Sequence, residues 1–379
     1  MESVEVVVVG AGIAGLSTAW RLAAARREVV LLERFPLGHD RGSSHGATRI
    51  FRFAYDDPGY VRMAQAALPL WRELEEASGQ EILRVSGGLD AGPDSGPDSG
   101  SVPGPDPGPG ERLDAIEAAL GSCGAHSERL DEAETRRRFP WLDLGHARSL
   151  YSPDGGVLAA ARALEALASA ARAGGATIRE AEPVRSLAID GDSAVIATGA
   201  GKIRARRCVV AAGAWATTLL EPLGIRLPVR VTREQVFYFR GPDDVVPFVH
   251  HGDLTRYVVP AFAGAAGVKV AEHMAGEETS ADGRSFEMDP EGAARVAAYV
   301  ERALPAFDPE PVAFETCLYT TTRDEGFILD AAGPIIIASP CSGHGFKFGP
   351  IVGETLAMLA IGRRPPLLIE PFALSRLRS

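Results

Sequence analysis

The chain has 379 residues, of which 46% are hydrophobic and 23% are charged. This balance is typical of a globular protein with a large core, and it excludes a collagen-like fibre and a disordered chain. The 39 Lys and Arg against 50 Asp and Glu give a net charge of −11, so neither a nucleic acid nor an anionic membrane surface is expected as a partner.

The N-terminus and the cysteines bear on the location of the protein. The chain begins without a cationic leader and has no apolar stretch long enough for a membrane span, so none is expected. Four widely spaced cysteines form no CxxC pair. They predict a reduced cytoplasmic protein without a cysteine-bound metal, and no metal is expected elsewhere.

The first predicted elements are strand 4–9, a helix that ends near residue 25, and strand 29–32, which leads into Glu33. Between the first strand and the helix lies the motif Gly10-x-Gly12-x-x-Gly15. Gly10 permits a tight turn, Gly12 lets the backbone approach a pyrophosphate, and Gly15 lets the helix pack close to the strand. Glu33 is placed to bind a ribose hydroxyl. A dinucleotide site is therefore predicted, and these residues leave NAD and FAD equally open.

Later segments alternate between helical and strand-like patterns, and strands are more frequent in the middle of the chain. Helices are predicted at 60–77, 157–173, 290–304 and 350–361, and strands at 184–189, 208–212, 235–239, 256–259, 268–271, 314–320 and 334–338. Residues 91–110 are rich in Pro and Gly and contain a tandem GPDS, so a flexible solvated loop is predicted there.

Lysine is scarce, since the chain contains only Lys202, Lys269 and Lys347 among its 39 cations. Lys269 lies between two valines in a predicted strand. The period of two places it on the same strand face as Ala271 and His273, opposite those valines.

Three further segments carry specific motifs. GSSHGATRI begins at Gly42, CLYT begins at Cys317 and is followed by Asp324 and FILD, and SGHGFKF begins at Ser342. With these motifs, nearly the whole chain resembles the monomeric sarcosine oxidase and N-methyltryptophan oxidase family, within the D-amino-acid oxidase-like flavoproteins.

The resemblance implies an α/β fold with a Rossmann-type FAD-binding domain and an interleaved α+β substrate domain built on an antiparallel sheet. The FAD-binding domain is expected to comprise 1–84, 145–220 and 312–379, and the substrate domain 85–144 and 221–311.

The resemblance also implies roles for individual residues. FAD is expected to be attached through its 8α-methyl to Cys317, and Arg52 and Lys347 to clamp a substrate carboxylate. Lys269 is expected over the flavin, where its charge would assist the reaction with oxygen. Tyr257 is expected to bind substrate and, with His45, Arg49 and His273, to complete the catalytic pocket, to which Gly343 contributes main-chain groups. The other predicted cofactor-binding residues are Gly10, Gly12, Ile13, Ala14, Gly15, Glu33, Arg34, Gly42, Ser43, Ser44, Thr48, Val184, Gly213, Trp215, Gly345 and Phe346, together with His45, Arg49, Gly343 and Lys347.

The function so implied is a flavin-dependent oxidase of small secondary amino acids, foremost sarcosine, that uses O2 as the acceptor and acts as a monomer. Three alternatives stay open: an oxidase of cyclic imino acids such as proline, pipecolate or a piperideine carboxylate, an enzyme with a quinone or carrier protein as acceptor, and a non-catalytic nucleotide-binding protein. The segment 248–252 departs from the sarcosine oxidases, so the side-chain preference is not set by the resemblance. Its adjacent His250 and His251 are expected at the surface or the pocket rim.

Overall fold

The computed structural model describes residues 1–93 and 109–377. The helices in this part of the chain are, in order, α1 (Ile13–Ala24), α2 (Pro58–Ser78), α3 (Pro109–Ser122), α4 (Glu132–Arg138), α5 (Ala160–Ala173), α6 (Ala216–Leu220), α7 (Pro290–Ala303) and α8 (Gly349–Ala360).

The strands of the described residues are, in order, β1 (Glu2–Val9), β2 (Val29–Leu32), β3 (Thr48–Phe51), β4 (Leu83–Val85), β5 (Gly88–Gly92), β6 (Glu128–Leu130), β7 (Arg148–Ser152), β8 (Gly156–Ala159), β9 (Thr177–Arg179), β10 (Ser186–Asp190), β11 (Ser193–Ala197), β12 (Lys202–Val210), β13 (Val229–Phe239), β14 (Phe248–His250), β15 (Arg256–Val259), β16 (Val268–Glu272), β17 (Glu277–Glu278), β18 (Ala313–Thr322), β19 (Ile328–Ala332) and β20 (Ile335–Ser339).

The first sheet has a parallel core in the order β20-β12-β1-β2-β9. The hairpin β10–β11 extends it antiparallel from β12, and β19 pairs antiparallel with β20. β1 is apolar on both faces because both are covered: Val6 and Val8 pack in the cluster that contains α1, α5 and α8, and Val7 and Val9 pack on the opposite side.

The second sheet is larger and mostly antiparallel, in the order β17-β13-β16-β15-β14-β5-β7-β6, with β18 paired along β13. The exception is the parallel pair β14–β5. Helix α7 covers one face, where Val296 and Val300 pack with Phe237, Val268 and Val270. Side chains alternate between the two faces of a strand, so the other face of β13, β16 and β18 is free to form the wall of a cavity.

The predicted fold class is confirmed, and one predicted helix is wrong at its start. Residues 157–159 belong to β8, because they pair with both β3 and β4 in a small antiparallel sheet, and α5 begins only at Ala160. The tertiary pairing outweighs the local helical pattern.

The predicted loop 91–110 is shorter at both ends. β5 continues to Gly92 and α3 begins at Pro109, while residues 94–108 lie outside the described part of the chain. The predicted domain boundaries stay a proposal. β7 and β18, which they assign to the FAD-binding domain, pair within the second sheet. No helix among the described residues is long and apolar enough to cross a bilayer.

Candidate active site

A cavity of about 1760 Å³ lies between the two large sheets. Its wall includes Gly10 and Glu33 from the first sheet's connections and Val236, Lys269 and Cys317 from the second sheet. All the predicted site residues line this cavity except Gly15. The fold therefore brings together residues that are more than 300 positions apart in sequence.

The glycine motif forms the junction of β1 and α1. Gly10 has φ +101°, and a Cβ there would lie 2.5 Å from the Ala211 carbonyl oxygen. A Cβ on Gly15 would lie 1.8 Å from the Gly10 carbonyl oxygen. Gly15 therefore does not face the cavity but allows α1 to approach the turn, as predicted for the third glycine.

The N-terminus of α1 points into the cavity beside the segment that begins at Gly42. The Ile13 amide donates to Ser44 Oγ at 3.1 Å. The positive end of the helix and the Ser44 hydroxyl are suited to the pyrophosphate of a dinucleotide. A side chain at Gly12 would approach Ser44 Oγ to 3.2 Å, so glycine keeps this approach open.

Glu33, which is predicted to bind a ribose hydroxyl, lies next to that helix. Its carboxylate accepts from the Ala11 amide at 2.6 Å and from the Phe35 amide at 3.0 Å. Burial raises the pKa of Glu33, but hydrogen bonds from His39, Ala11 and Phe35 outweigh it and leave the pKa below its usual value. An ionised carboxylate has further lone pairs with which to accept from ribose hydroxyls.

Sequence reasoning missed Asp282, which closes the same end of the cavity. Asp282 Oδ1 accepts from Arg34 Nη1 at 2.8 Å and from Trp215 Nε1 at 2.9 Å. This contact ties a segment after β17 to two predicted cofactor residues. An aspartate in a polar loop carries no signal of such a long-range contact.

Lys269 lies where β16 faces the cavity, opposite Val268 and Val270 as predicted. It is 3% exposed, and its Nζ donates to the Thr48 carbonyl at 2.8 Å. Burial, together with the charge of Arg49, lowers the pKa of Lys269 to about 7. The cost of burying the ammonium is thus only partly offset by its neighbours.

Arg49 and His45 form the adjoining wall. Arg49 donates to the carbonyl oxygens of Thr48 and Ser43 at 2.8 and 3.0 Å. Burial, followed by the charge of Arg49, lowers the pKa of His45 to about 3, so this imidazole is neutral. His45 Nε2 and Thr48 Oγ1 are buried on the cavity wall without a partner among the described residues. Polar atoms in this state fit a site whose partners come from a bound cofactor or substrate.

Cys317 projects from β18 into the same region as a free thiol. Burial raises the pKa of Cys317 to about 11, although Arg49 acts in the opposite direction. The thiol therefore needs further stabilisation of its charge before it can act as a nucleophile.

A pair of cations, the buried Lys347 and the partly buried Arg52, lies in another part of the wall. Arg52 stacks over the Tyr55 ring with its Cζ 4.9 Å from the centroid, and Lys347 Nζ donates to Tyr55 Oη at 2.7 Å. Burial and the Arg52 guanidinium hold the pKa of Lys347 well below its ordinary value. A carboxylate bound between the two cations would relieve this repulsion.

His273, Tyr257 and Gly343 complete this region. Burial, followed by the charge of Arg52, lowers the pKa of His273 to about 4, so its ring is neutral. Burial raises the pKa of Tyr257 well above its ordinary value. Gly343 has φ +75°, and a Cβ there would approach the Tyr319 ring to 2.4 Å.

His250 and His251 differ from their predicted place at the surface or rim. Phe248 lies in the core beneath α7, and the partly buried His250 has its Nδ1 3.2 Å from Tyr299 Oη of that helix. His251 is 4% exposed, lines the cavity, and contacts the buried Asp90. The contact of His251 with Asp90 could not be predicted from local sequence, because the two partners of Asp90, His251 and Arg52, lie 161 and 38 residues away from it.

Comparison with known proteins agrees with this site. Residues 5–359 match the family described as FAD dependent oxidoreductase. The human peroxisomal sarcosine oxidase is 33% identical, with 99% of this chain and 96% of that protein covered. The monomeric sarcosine oxidase of Bacillus sp. (strain NS-129) is 31% identical, with coverage of 98% and 96%.

Among solved structures, the open form of NikD superposes with a TM-score of 0.85 at 28% identity, covering 98% of each chain. It is described as an unusual amino acid oxidase essential for nikkomycin biosynthesis. An L-proline dehydrogenase from P. horikoshii has the same fold, with a TM-score of 0.84 at 22% identity over 99% of this chain and 98% of that one. The glycine motif, Glu33 and the cavity fit the cofactor of this family, and the protein belongs to the FAD dependent oxidoreductases, with peroxisomal and monomeric sarcosine oxidases among its homologues.

Proposed function

We propose that this enzyme is an oxidase of small secondary amino acids, with sarcosine as the first candidate. The reaction is sarcosine + O2 + H2O to glycine + formaldehyde + H2O2. The observation that carries the proposal is the pair formed by the partly buried Arg52 and the buried Lys347, which shares one cavity with Lys269 and Cys317. Homology to named sarcosine oxidases supports the same choice.

The residues of this chain have separable tasks in the proposed reaction. Arg52 and Lys347 bind the carboxylate and thereby fix the direction of the carbon–nitrogen bond. His273, whose neutral ring lies near this pair, accepts a hydrogen bond and leaves an amine lone pair free. A bound FAD would supply the acceptor for a hydride equivalent from the carbon next to the amine, and O2 would be the final acceptor of the two electrons. Lys269 holds a positive charge at Nζ beside the site of the oxygen reaction.

The attachment of FAD is proposed at Cys317. This thiol lines the cavity, and the nearby Arg49 and Lys269 lower its pKa against the effect of burial. The proposal includes a cytoplasmic monomer with a small amino acid and O2 as its partners.

An oxidase of cyclic imino acids is the second candidate. The likeness to NikD, an unusual amino acid oxidase at 28% identity over 98% of each chain, is compatible with this candidate as well. A cyclic acid and an N-methyl acid offer the same carboxylate and secondary amine to Arg52 and Lys347, so the two functions differ in what the rest of the cavity accepts.

Peroxide release tests the two candidates directly. The purified holoenzyme is supplied with sarcosine, N-methyl-L-tryptophan, L-proline, L-pipecolate and glycine at one concentration. Highest activity on an N-methyl acid supports the first candidate, and highest activity on a cyclic acid supports the second. Flavin reduction without peroxide would point to another electron acceptor, and no flavin reduction by any of the five would contradict both.

The carboxylate clamp is tested with Arg52→Met. We expect kcat/KM for the best substrate to fall by about 10- to 100-fold, since a charge-assisted contact contributes about 1.5–3 kcal/mol. Arg62→Met is the matched control, because Arg62 is exposed on α2. Equal activity of the two variants would refute the clamp.

A further inference from the structure

Asp90 is a buried carboxylate behind the cavity wall. It lies in β5 and is 2% exposed. Its Oδ1 accepts from Arg52 Nη1 at 2.7 Å and lies 2.8 Å from His251 Nε2. One oxygen atom therefore holds both the proposed carboxylate-binding arginine and a histidine to which no role has yet been given.

The contact with Asp90 determines which nitrogen of His251 carries the proton. A carboxylate paired with arginine can only accept, so Nε2 is the donor. When the ring carries this one proton, Nδ1 is an acceptor. This Nδ1 is buried and has no partner among the described residues, although His251 lines the cavity. An unsatisfied buried acceptor costs about 1–3 kcal/mol, which a donor on a bound molecule would recover.

The position of His251 relative to Arg52 indicates which part of a substrate it meets. Because both side chains bind the same Asp90 oxygen, Nε2 of His251 and Nη1 of Arg52 cannot be farther apart than two hydrogen bonds laid end to end. A carboxylate bound to Arg52 brings the α-carbon close to the same place. The neighbouring Val249 also lines the cavity and offers no polar group. A substituent on the α-carbon would therefore meet the unpartnered Nδ1 of His251 on this part of the wall.

We propose that His251, positioned by Asp90, determines specificity by accepting a hydrogen bond from a substituent on the α-carbon of the substrate. This inference rests on the proposed function and narrows its substrate class. The preferred substrates are secondary amino acids, N-methylated or cyclic, whose side chain carries a hydroxyl or N–H donor. Sarcosine has no such substituent, so it is oxidised while Nδ1 of His251 accepts no hydrogen bond from it.

A pair of isosteric substrates tests the contact. N-methyl-L-serine and N-methyl-L-2-aminobutyrate differ by a hydroxyl in place of a methyl. We expect a kcat/KM ratio of about 10 or more in favour of the serine derivative, since 1.4 kcal/mol corresponds to a factor of ten. His251→Phe should bring the ratio to about 1, and His250→Phe, on the other side of β14, should leave it as in the wild type.

Replacement of Asp90 tests the positioning role separately. In Asp90→Leu the Nε2 of His251 loses the acceptor that fixes the position of its proton, so Nδ1 is no longer held as an acceptor. The kcat/KM ratio of N-methyl-L-serine to N-methyl-L-2-aminobutyrate should therefore fall from about 10 towards 1 in this variant. A purely structural role for Asp90 would lower both values together and leave their ratio unchanged.

Binding without turnover gives an independent measurement. L-Glycerate and L-2-hydroxybutyrate lack an amine, so calorimetry on the holoenzyme reports their Kd values alone, and a tenfold preference for glycerate is expected. Wild-type ratios near 1 in both experiments would overturn the role of His251, even if no variant folds. If sarcosine is still oxidised in that case, the proposed function stands. Preference for glycerate without oxidation of any secondary amino acid would refute the proposed function instead.

Discussion

The proposed role of Lys269 in the oxygen reaction can be tested separately from the oxidation of substrate. Its charge lies in a desolvated wall, where an electrostatic contribution to a reaction is larger than in water. In Lys269→Met we expect the oxygen reaction of the reduced enzyme to slow by about 100-fold or more, as for other lost electrostatic contacts. Anaerobic flavin reduction by substrate should change by only a few-fold. Stopped-flow absorbance measures both, with the exposed Lys202→Met as control, and an equal loss in both half-reactions would exclude the assigned role.

The lowered pKa of Lys269 predicts that the rate of the oxygen reaction depends on pH. The pKa of Lys269 is lowered to about 7, so the charged form is present below that pH and is lost as the pH rises through it. The rate constant for oxidation of the reduced flavin should therefore decline above about pH 7. It should be nearly independent of pH in Lys269→Met. A wild-type rate constant that stays level up to pH 9 would contradict this prediction.

Cys317 gives a prediction that needs no kinetics. If the thiol is bonded to FAD, acid-precipitated wild-type protein keeps its yellow colour in the pellet. Cys317→Ser should release the colour to the supernatant, while Cys123→Ser, a partly exposed cysteine near α2, should not. Absorbance of pellet and supernatant separates these outcomes. Yellow supernatant from the wild type would show that the flavin is not covalently bound.

At the scale of elements, the junction of β1 and α1 depends on a contact that only glycine allows. A Cβ on Gly15 would lie 1.8 Å from the Gly10 carbonyl oxygen, so Gly15→Ala must move the helix. We expect a loss of about 1–3 kcal/mol in the free energy of unfolding and weaker FAD binding. Gly121→Ala in α3 is the matched control, because a Cβ there meets nothing within 4 Å and alanine favours helix by about 1 kcal/mol. Urea unfolding of both variants measures the difference, and similar stabilities would show that α1 does not need this approach.

The elements also show what the sequence could and could not predict. The βαβ unit and the cavity-facing side of β16 follow from local periodicity, and Gly10, Glu33 and Lys269 line the cavity. β8 was missed because its strand character comes from pairing with β3 and β4, not from its own residues. Asp90 and Asp282 were missed for a related reason: their partners are distant in sequence, and neither lies in a motif.

At the scale of the whole molecule, the cavity draws its wall from both large sheets. Gly10 and Glu33 follow strands of the first sheet, whereas Val236, Lys269 and Cys317 belong to the second. A dinucleotide that fills this cavity contacts both sheets at once. Its binding free energy is then added to the stability of the entire fold, because the unfolded chain offers no such site.

This arrangement predicts how much the flavin and the adenosine diphosphate portions of FAD each add to the free energy of unfolding. Cys317→Ser allows a non-covalent flavin to be removed by dialysis and then replaced. Added FAD at a hundredfold excess over its Kd should raise the free energy of unfolding by about 2.7 kcal/mol. Riboflavin at the same concentration should stabilise far less, because it lacks the pyrophosphate and adenosine that the α1 N-terminus and Glu33 are placed to bind. Urea unfolding followed by far-UV circular dichroism measures both. Equal stabilisation by riboflavin would mean that the first sheet contributes little to cofactor binding, and that the flavin is held by the second sheet alone.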